Sequence, residues 1–167
     1  ACFDAAPEPQ AIVVRDGRVA GFRGRRTERY VTCAEACPTG ALKVWGRSVT
    51  VGEVMREVTA DRSFYESSGG GLTLSGGEAL LQPRFAAELL KAARAAGIGT
   101  CMETALNVPA TVLDPVLPLL DMIFCDLKHL DPAAHREYTG VSNERILSNL
   151  RKVVASGVRV VIRIPVV

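Results

Sequence analysis

A chain of 167 residues, 48% of them hydrophobic, has enough apolar surface to bury a core of its own, which excludes disorder over its whole length. Its charges balance to +2 with no basic run interleaved with aromatics, so a nucleic acid backbone is not the expected partner. No apolar stretch reaches the roughly 18 residues of a membrane span and the first residues lack a signal-peptide pattern, so the expectation is a soluble, cytoplasmic chain with no membrane partner.

In chain order, "AIVVRDGRVAGFRGRR" predicts a hairpin around Asp16-Gly17, and "TVGEVMREV" predicts a helix. These lie in an appendage, and the expected division is 1–48 for the N-terminal segment and 49–167 for an α/β core. From Gly71 onward short apolar runs alternate with helical periodicity, the pattern of parallel strands joined by crossover helices. Four strands are predicted, at Leu72 to Ser75, Gly99 to Thr104, Met122 to Asp126 and Val158 to Val166. The helix after the first has Pro83 near its start, Phe85, Leu89, Leu90 and Ala93 on one face, and Gly97 as its stop. Pro115 and Pro118 shorten the helix between the second and third strands, because each removes a backbone donor. Asn143 or Ser142 caps a last helix whose stripe is Ile146, Leu147, Leu150, Val153 and Val154. A doubly wound sheet and a partial (β/α) barrel both fit this order.

In either architecture function gathers where the strands end. The first strand runs into Gly76-Gly77-Glu78, the second ends in Glu103 and Thr104, the third in Asp126-Leu127-Lys128, and the fourth carries Arg163. Taken singly, a Gly-Gly pair is more often a tight turn, and an acid at a strand end more often a helix cap. Taken together they place acids, bases and bare backbone on one rim, which suits a ligand bearing both an amino and a carboxylate group. Neither the glycine spacing of a dinucleotide fold nor a P-loop is present.

The strings "SGGGLTLSGGEALLQ", "ETALNVP", "DLKHLDPAAHREYTGVSNERIL" and "VRVVIRIPVV" resemble consecutive segments, over about Thr50 to Val167, of the activating enzymes for glycyl-radical enzymes. That group includes pyruvate formate-lyase activating enzyme and belongs to the radical S-adenosylmethionine (SAM) superfamily. The resemblance implies a partial (β/α) barrel and a SAM site. Gly76, Gly77 and Glu78 would receive the amino group of SAM. Glu103, Thr104 and Asp126 would lie near its carboxylate, where some members hold a monovalent cation, and Lys128 and Arg163 would hold the carboxylate or ribose. It implies a glycyl-radical enzyme as protein substrate and an electron donor such as flavodoxin or ferredoxin. The run from Asp126 through His135 to Asn143 would stand near the docking partner loop, with His135 either there or on a helix surface. Leu106 stands where the family often has glycine, which puts the local loop shape in question.

The resemblance also implies a 4Fe-4S cluster on three cysteines spaced C-x-x-x-C-x-x-C, and this chain does not contain that motif. Cys2 corresponds to the last of the three or is an incidental thiol. "CAEACPTGAL" resembles the end of a ferredoxin motif, so Cys33 and Cys37 are further metal candidates. The two earlier positions are Thr27 and Tyr30, which favours a degenerate ferredoxin-like insert with two ordinary thiols. Cys101 and Cys125 fall in apolar strands and are expected to be core. With no initiating Met and an end inside a strand-like run, the chain reads as a fragment lacking the upstream cluster ligands and the C-terminal strands. On that reading no residue is assigned as catalytic, and the 167 residues alone are expected to be inactive. Two other functions remain open from the residues: an iron-sulfur electron-transfer or interaction module around Cys33 and Cys37, and a metabolite-binding α/β protein without radical chemistry.

Overall fold

The structure is a computed structural model that describes residues 12–16, 18–23 and 30–165; Cys2 and Thr27 lie outside them. The chain divides into two compact units, Ala1–Ser48 and Val49–Val167. In the first, β1 (Ile12–Arg15) pairs antiparallel with β2 (Arg18–Phe22), with Arg15 opposite Arg18 and Asp16 at φ 50° between them. Aspartate tolerates that left-handed backbone better than most residues, which suits Asp16 to a hairpin turn; Gly17, the other residue of the predicted turn, lies outside the described residues. A short helix, α1 (Val31–Glu35), buries Cys33, and the Tyr30 ring before it meets Phe22 edge-on at 5.0 Å.

The second unit opens with α2 (Val51–Ala60), started by a reciprocal cap: Glu53 N–H donates to Thr50 Oγ1 at 3.2 Å and Thr50 N–H donates to Glu53 Oε2 at 2.7 Å. Then follow α3 (Arg62–Ser68), β3 (Gly71–Leu74), α4 (Pro83–Ala95), β4 (Gly99–Thr104), β5 (Met122–Asp126), α5 (Pro132–Thr139), α6 (Glu144–Ala155) and β6 (Arg159–Arg163). Between β4 and β5 the chain makes only the short 3₁₀ turns Ala110–Val112 and Leu117–Leu119, as the prolines dictate. The four strands are parallel in the order β3-β4-β5-β6. A doubly wound sheet reverses its strand order; this one does not, so it is a section of barrel wall.

Alternation along the strands divides the side chains between two faces. Met102, Ile123 and Cys125 join the core with Ala86, Leu90, Ile146 and Val153 from α4 and α6. Burying each large aliphatic side chain there contributes about 1.5–3 kcal/mol. The opposite face, with Glu103, Phe124, Asp126 and Arg163, is only partly covered. At Gly71 a Cβ would lie 2.1 Å from the Gly99 carbonyl oxygen, so only glycine lets β3 approach β4 in this register.

Several expectations shift. β3 runs one residue earlier than expected, and β6 stops at Arg163, before Ile164 and the N–H-less Pro165. Val154 is 59% exposed and leaves the stripe, whereas Asn149 is 2% exposed and enters it. Its amide donates to the carbonyls of Leu106 (2.8 Å) and Val108 (2.7 Å), a pair of hydrogen bonds that apolar periodicity does not register. Asn143 sits at the N-cap of α6 without making a side-chain cap; Ser142 Oγ accepts from Glu144 N–H at 3.3 Å instead.

Candidate functional site

Ser75, Glu103, Asp126 and Arg163 stand at the C-terminal ends of the four strands, in sheet order. Asp126 and Arg163 are paired in register, and Arg163 Nε donates to Asp126 Oδ1 at 2.7 Å. The guanidinium lies 5.3 Å from the centre of the Phe124 ring and crosses β5, so that Nη1 donates to Glu103 Oε1 at 2.9 Å. Ser75 Oγ donates to Glu103 Oε2 at 2.8 Å, and Lys128 Nζ donates to Asp126 Oδ2 at 3.2 Å. Two carboxylates, a guanidinium and an ammonium thus form one neutral cluster, in which Arg163 uses two of its five N–H groups.

The electrostatics follow from these bonds. The Ser75 hydroxyl, then the Arg163 guanidinium, hold the Glu103 carboxyl below its ordinary range. Arg163, with Lys128 behind it, does the same for Asp126, and both acids raise the Arg163 pKa in return. A group whose folded pKa is depressed contributes stability that is present above its ordinary pKa and lost as pH falls through the lowered one. The cluster is therefore intact at neutral pH and comes apart only on the acid side of the usual carboxylate range.

Glu78 and Thr104 form a second group. Residues 103 and 104 are adjacent on β4, so their side chains leave on opposite faces. Glu78 Oε1 accepts from Leu80 N–H (3.0 Å), which caps the 3₁₀ turn Ala79–Leu81, and from Thr104 Oγ1 (2.8 Å). Its Oε2 accepts from Ala105 N–H at 3.1 Å. Gly76 leads into this turn at φ 122°, a backbone open to glycine, and a Cβ at Gly77 would meet nothing within 4 Å. Beside it lies a cavity of about 430 Å³ bordered by Ser75, Gly77 and Glu78 and, on its apolar side, by Val54, Leu72 and Phe85.

Of the residues singled out from sequence, the structure brings Glu103, Asp126, Lys128 and Arg163 together, and Glu78 and Thr104 into a neighbouring pair. Sequence reasoning missed Ser75 and Phe124. Both were findable by period-2 spacing: Phe124 is two residues before Asp126 and Ser75 two after Thr73, on the same sheet face as the acids. His135 is 2% exposed, which corrects the helix-surface reading.

The cysteines divide sharply. Cys33, 0% exposed, belongs to the small core of the first unit. Cys37 Sγ accepts from Leu42 N–H at 3.5 Å and lies 3.7 Å from the Thr39 hydroxyl; these bonds, the first foremost, pull its thiol down to about 7. Burial pushes Cys125 up to about 11. Among the described residues no three Cys, His, Asp or Glu side chains converge as a metal site, so Cys33 and Cys37 find no third ligand there. Iodoacetamide is expected to label Cys37 with a midpoint near pH 7 and to leave Cys125 unlabelled until the chain unfolds. Peptide mapping across pH reads both; labelling of Cys125 ahead of Cys37 would contradict the geometry.

The model of the radical SAM superfamily matches residues 33–167. The chain is 42% identical over 167 residues to a (2S)-3-sulfopropanediol dehydratase activating enzyme of Klebsiella oxytoca, covering all of this chain and 53% of that protein. It is 42% identical over 150 residues to an isethionate sulfite-lyase activating enzyme of Desulfovibrio desulfuricans, covering 90% of this chain and 48% of the relative. It is 40% identical over 149 residues to a pyruvate formate-lyase 2-activating enzyme of Escherichia coli, covering 86% and 51%. A crystal structure of a domain of pyruvate-formate lyase-activating enzyme from Bacteroides vulgatus ATCC 8482 superimposes with a TM-score of 0.53 at 36% identity, over 58% of this chain and 60% of that one. The chain spans about half the length of the curated relatives it matches. With a parallel barrel-wall sheet, a charged rim at its strand ends and a family match over most of its length, the chain belongs to the radical SAM superfamily.

Proposed function

We propose that the chain is the SAM-holding part of a glycyl-radical-enzyme activating enzyme. The observation that carries this reading is the cluster of Glu103, Asp126, Lys128 and Arg163, with Gly76 to Glu78 beside it, in a chain 40–42% identical to proteins named as activating enzymes. When bound, a 4Fe-4S cluster would supply the one-electron chemistry that SAM cleavage requires in the intact enzyme, whose protein substrate would be a glycyl-radical enzyme. Among the described residues no ligand set for that cluster converges; the role assigned to residues 49–167 is to hold SAM.

The donor set fits the ligand. The amino acid moiety of SAM is a zwitterion, and the rim offers acceptors in Glu103, Asp126 and the backbone of Gly76-Gly77, and donors in Arg163 and Lys128. A ligand carboxylate would take the unused N–H groups of Arg163, and a ligand ammonium would replace part of the positive charge the acids now draw from it. A monovalent cation at the same carboxylates would compete with Arg163, which bridges them. The domain reading follows: 49–167 is the SAM-holding barrel section and 1–48 an appended insert remnant. The electron would come from a flavodoxin or ferredoxin in a cytoplasmic setting.

Isothermal titration with SAM tests the reading. Binding is expected to fall roughly tenfold in Asp126→Asn and in Glu78→Gln, which keep size and remove charge. Titration curves superimposable on that of the unaltered chain in both variants would sink the proposal.

A further inference from the structure

The loop that carries Lys128 is held from inside the fold by two side chains to which the rim chemistry gives no part. Asn143 is 0% exposed and donates both amide hydrogens to consecutive carbonyls, His129 at 2.9 Å and Leu130 at 2.7 Å, the two residues that follow Lys128. On the other side of Lys128, the buried Leu127 donates its N–H to the Arg163 carbonyl at 3.1 Å. Lys128 therefore stands between two fixed points. Asn143 is in turn located by His135, whose Nδ1 lies 2.7 Å from the Val141 carbonyl oxygen; a carbonyl only accepts, so Nδ1 carries the proton. The Thr139 hydroxyl donates to the His135 carbonyl, and Asp131 N–H donates to His129 Nδ1 at 3.0 Å, so the segment from 129 to 143 closes on itself.

Both side chains leave one buried atom without a partner, Asn143 Oδ1 and His135 Nε2. A buried polar atom left unpartnered lowers stability. Leucine at either position would carry no such burden, so packing does not account for them. What they satisfy is the set of loop carbonyls at 129, 130 and 141, which receive no backbone N–H in this turn.

We infer that Asn143 and His135 are positioning residues that set where Lys128 stands at the rim, acting on ligand binding through that lysine. The inference rests on the reading of the rim as the SAM site. Asn143→Ser and His135→Leu are each expected to weaken SAM binding roughly tenfold, as sub-ångström displacement of a ligand-holding charge does, and to have almost no effect in a Lys128→Met background. His135→Asn, whose amide nitrogen can take the place of Nδ1, is expected to recover most of the affinity. Equal weakening with and without Lys128 would overturn the inference. A second readout needs no ligand: in Asn143→Ser and His135→Leu the amides of Lys128 to Leu130 are expected to exchange hydrogen faster, with those of β4 unchanged. Uniform acceleration across the chain would mark a purely structural role and overturn it as well. If the unaltered chain fails to bind SAM, the reading of the rim falls, and the exchange pattern alone decides the brace.

Discussion

Replacing Arg163 with methionine is expected to weaken SAM binding by about a hundredfold, the largest loss of any single substitution at the rim. The reason is geometric as well as electrostatic. Among the described residues Arg163 alone reaches both acids, with Nε 2.7 Å from Asp126 and Nη1 2.9 Å from Glu103, and it does so across β5 because Phe124 supports the guanidinium at 5.3 Å. Without it, two carboxylates on adjacent strands face each other with only Lys128, 3.2 Å from Asp126, to offset them. Both acids would then regain protons more readily, since Arg163 is among the leading causes of their lowered pKa values. Two consequences separate this account from simple loss of charge. Arg163→Lys keeps the charge but not the fork, so it is expected to recover only part of the affinity. Binding in Arg163→Met should fail at a higher pH on the acid side than in the unaltered chain, because carboxylates no longer held low protonate earlier as pH drops. Titrations over a pH series read both effects; Arg163→Lys binding as tightly as arginine would refute the bridging role.

The chain order of strands and helices was legible because burial repeats at fixed periods, and the rim was legible because strand ends are where side chains from separate segments meet. What periodicity cannot carry is the direction of a side chain within a loop. Glu78 lies in sequence order with the other acids, yet its carboxylate turns to Leu80, Thr104 and Ala105, since the 3₁₀ turn after the glycines offers it one donor and the end of β4 two more. Thr104 follows it, since neighbouring strand residues cannot share a face. Asn149 and Asn143 were hidden for another reason. Each lies at or beside an apolar helix stripe as a polar residue, and only coordinates reveal the loop carbonyls their amides satisfy.

Leu106 joins these two kinds of information, and its substitutions are expected to reverse a familiar order. The residue has φ 56° and is 0% exposed, so it pays for a left-handed backbone while filling the core beneath the turn that receives Glu78. Its N–H donates to Thr104 Oγ1 at 2.9 Å and its carbonyl accepts from Asn149, which pins the conformation from both sides. Leu106→Ala removes the side chain but keeps the strain, and is expected to cost about 3–5 kcal/mol of stability. Leu106→Gly removes the same side chain yet relieves a backbone cost of about 1–2 kcal/mol, so glycine is expected to be the more stable of the two. In an ordinary helix or strand alanine wins over glycine; here the sign of φ decides. Both variants should still lie below leucine, because the buried side chain is worth more than the strain it imposes. Urea unfolding of the three chains gives the order directly, and alanine equal to or above glycine would mean that residue 106 does not hold the left-handed conformation.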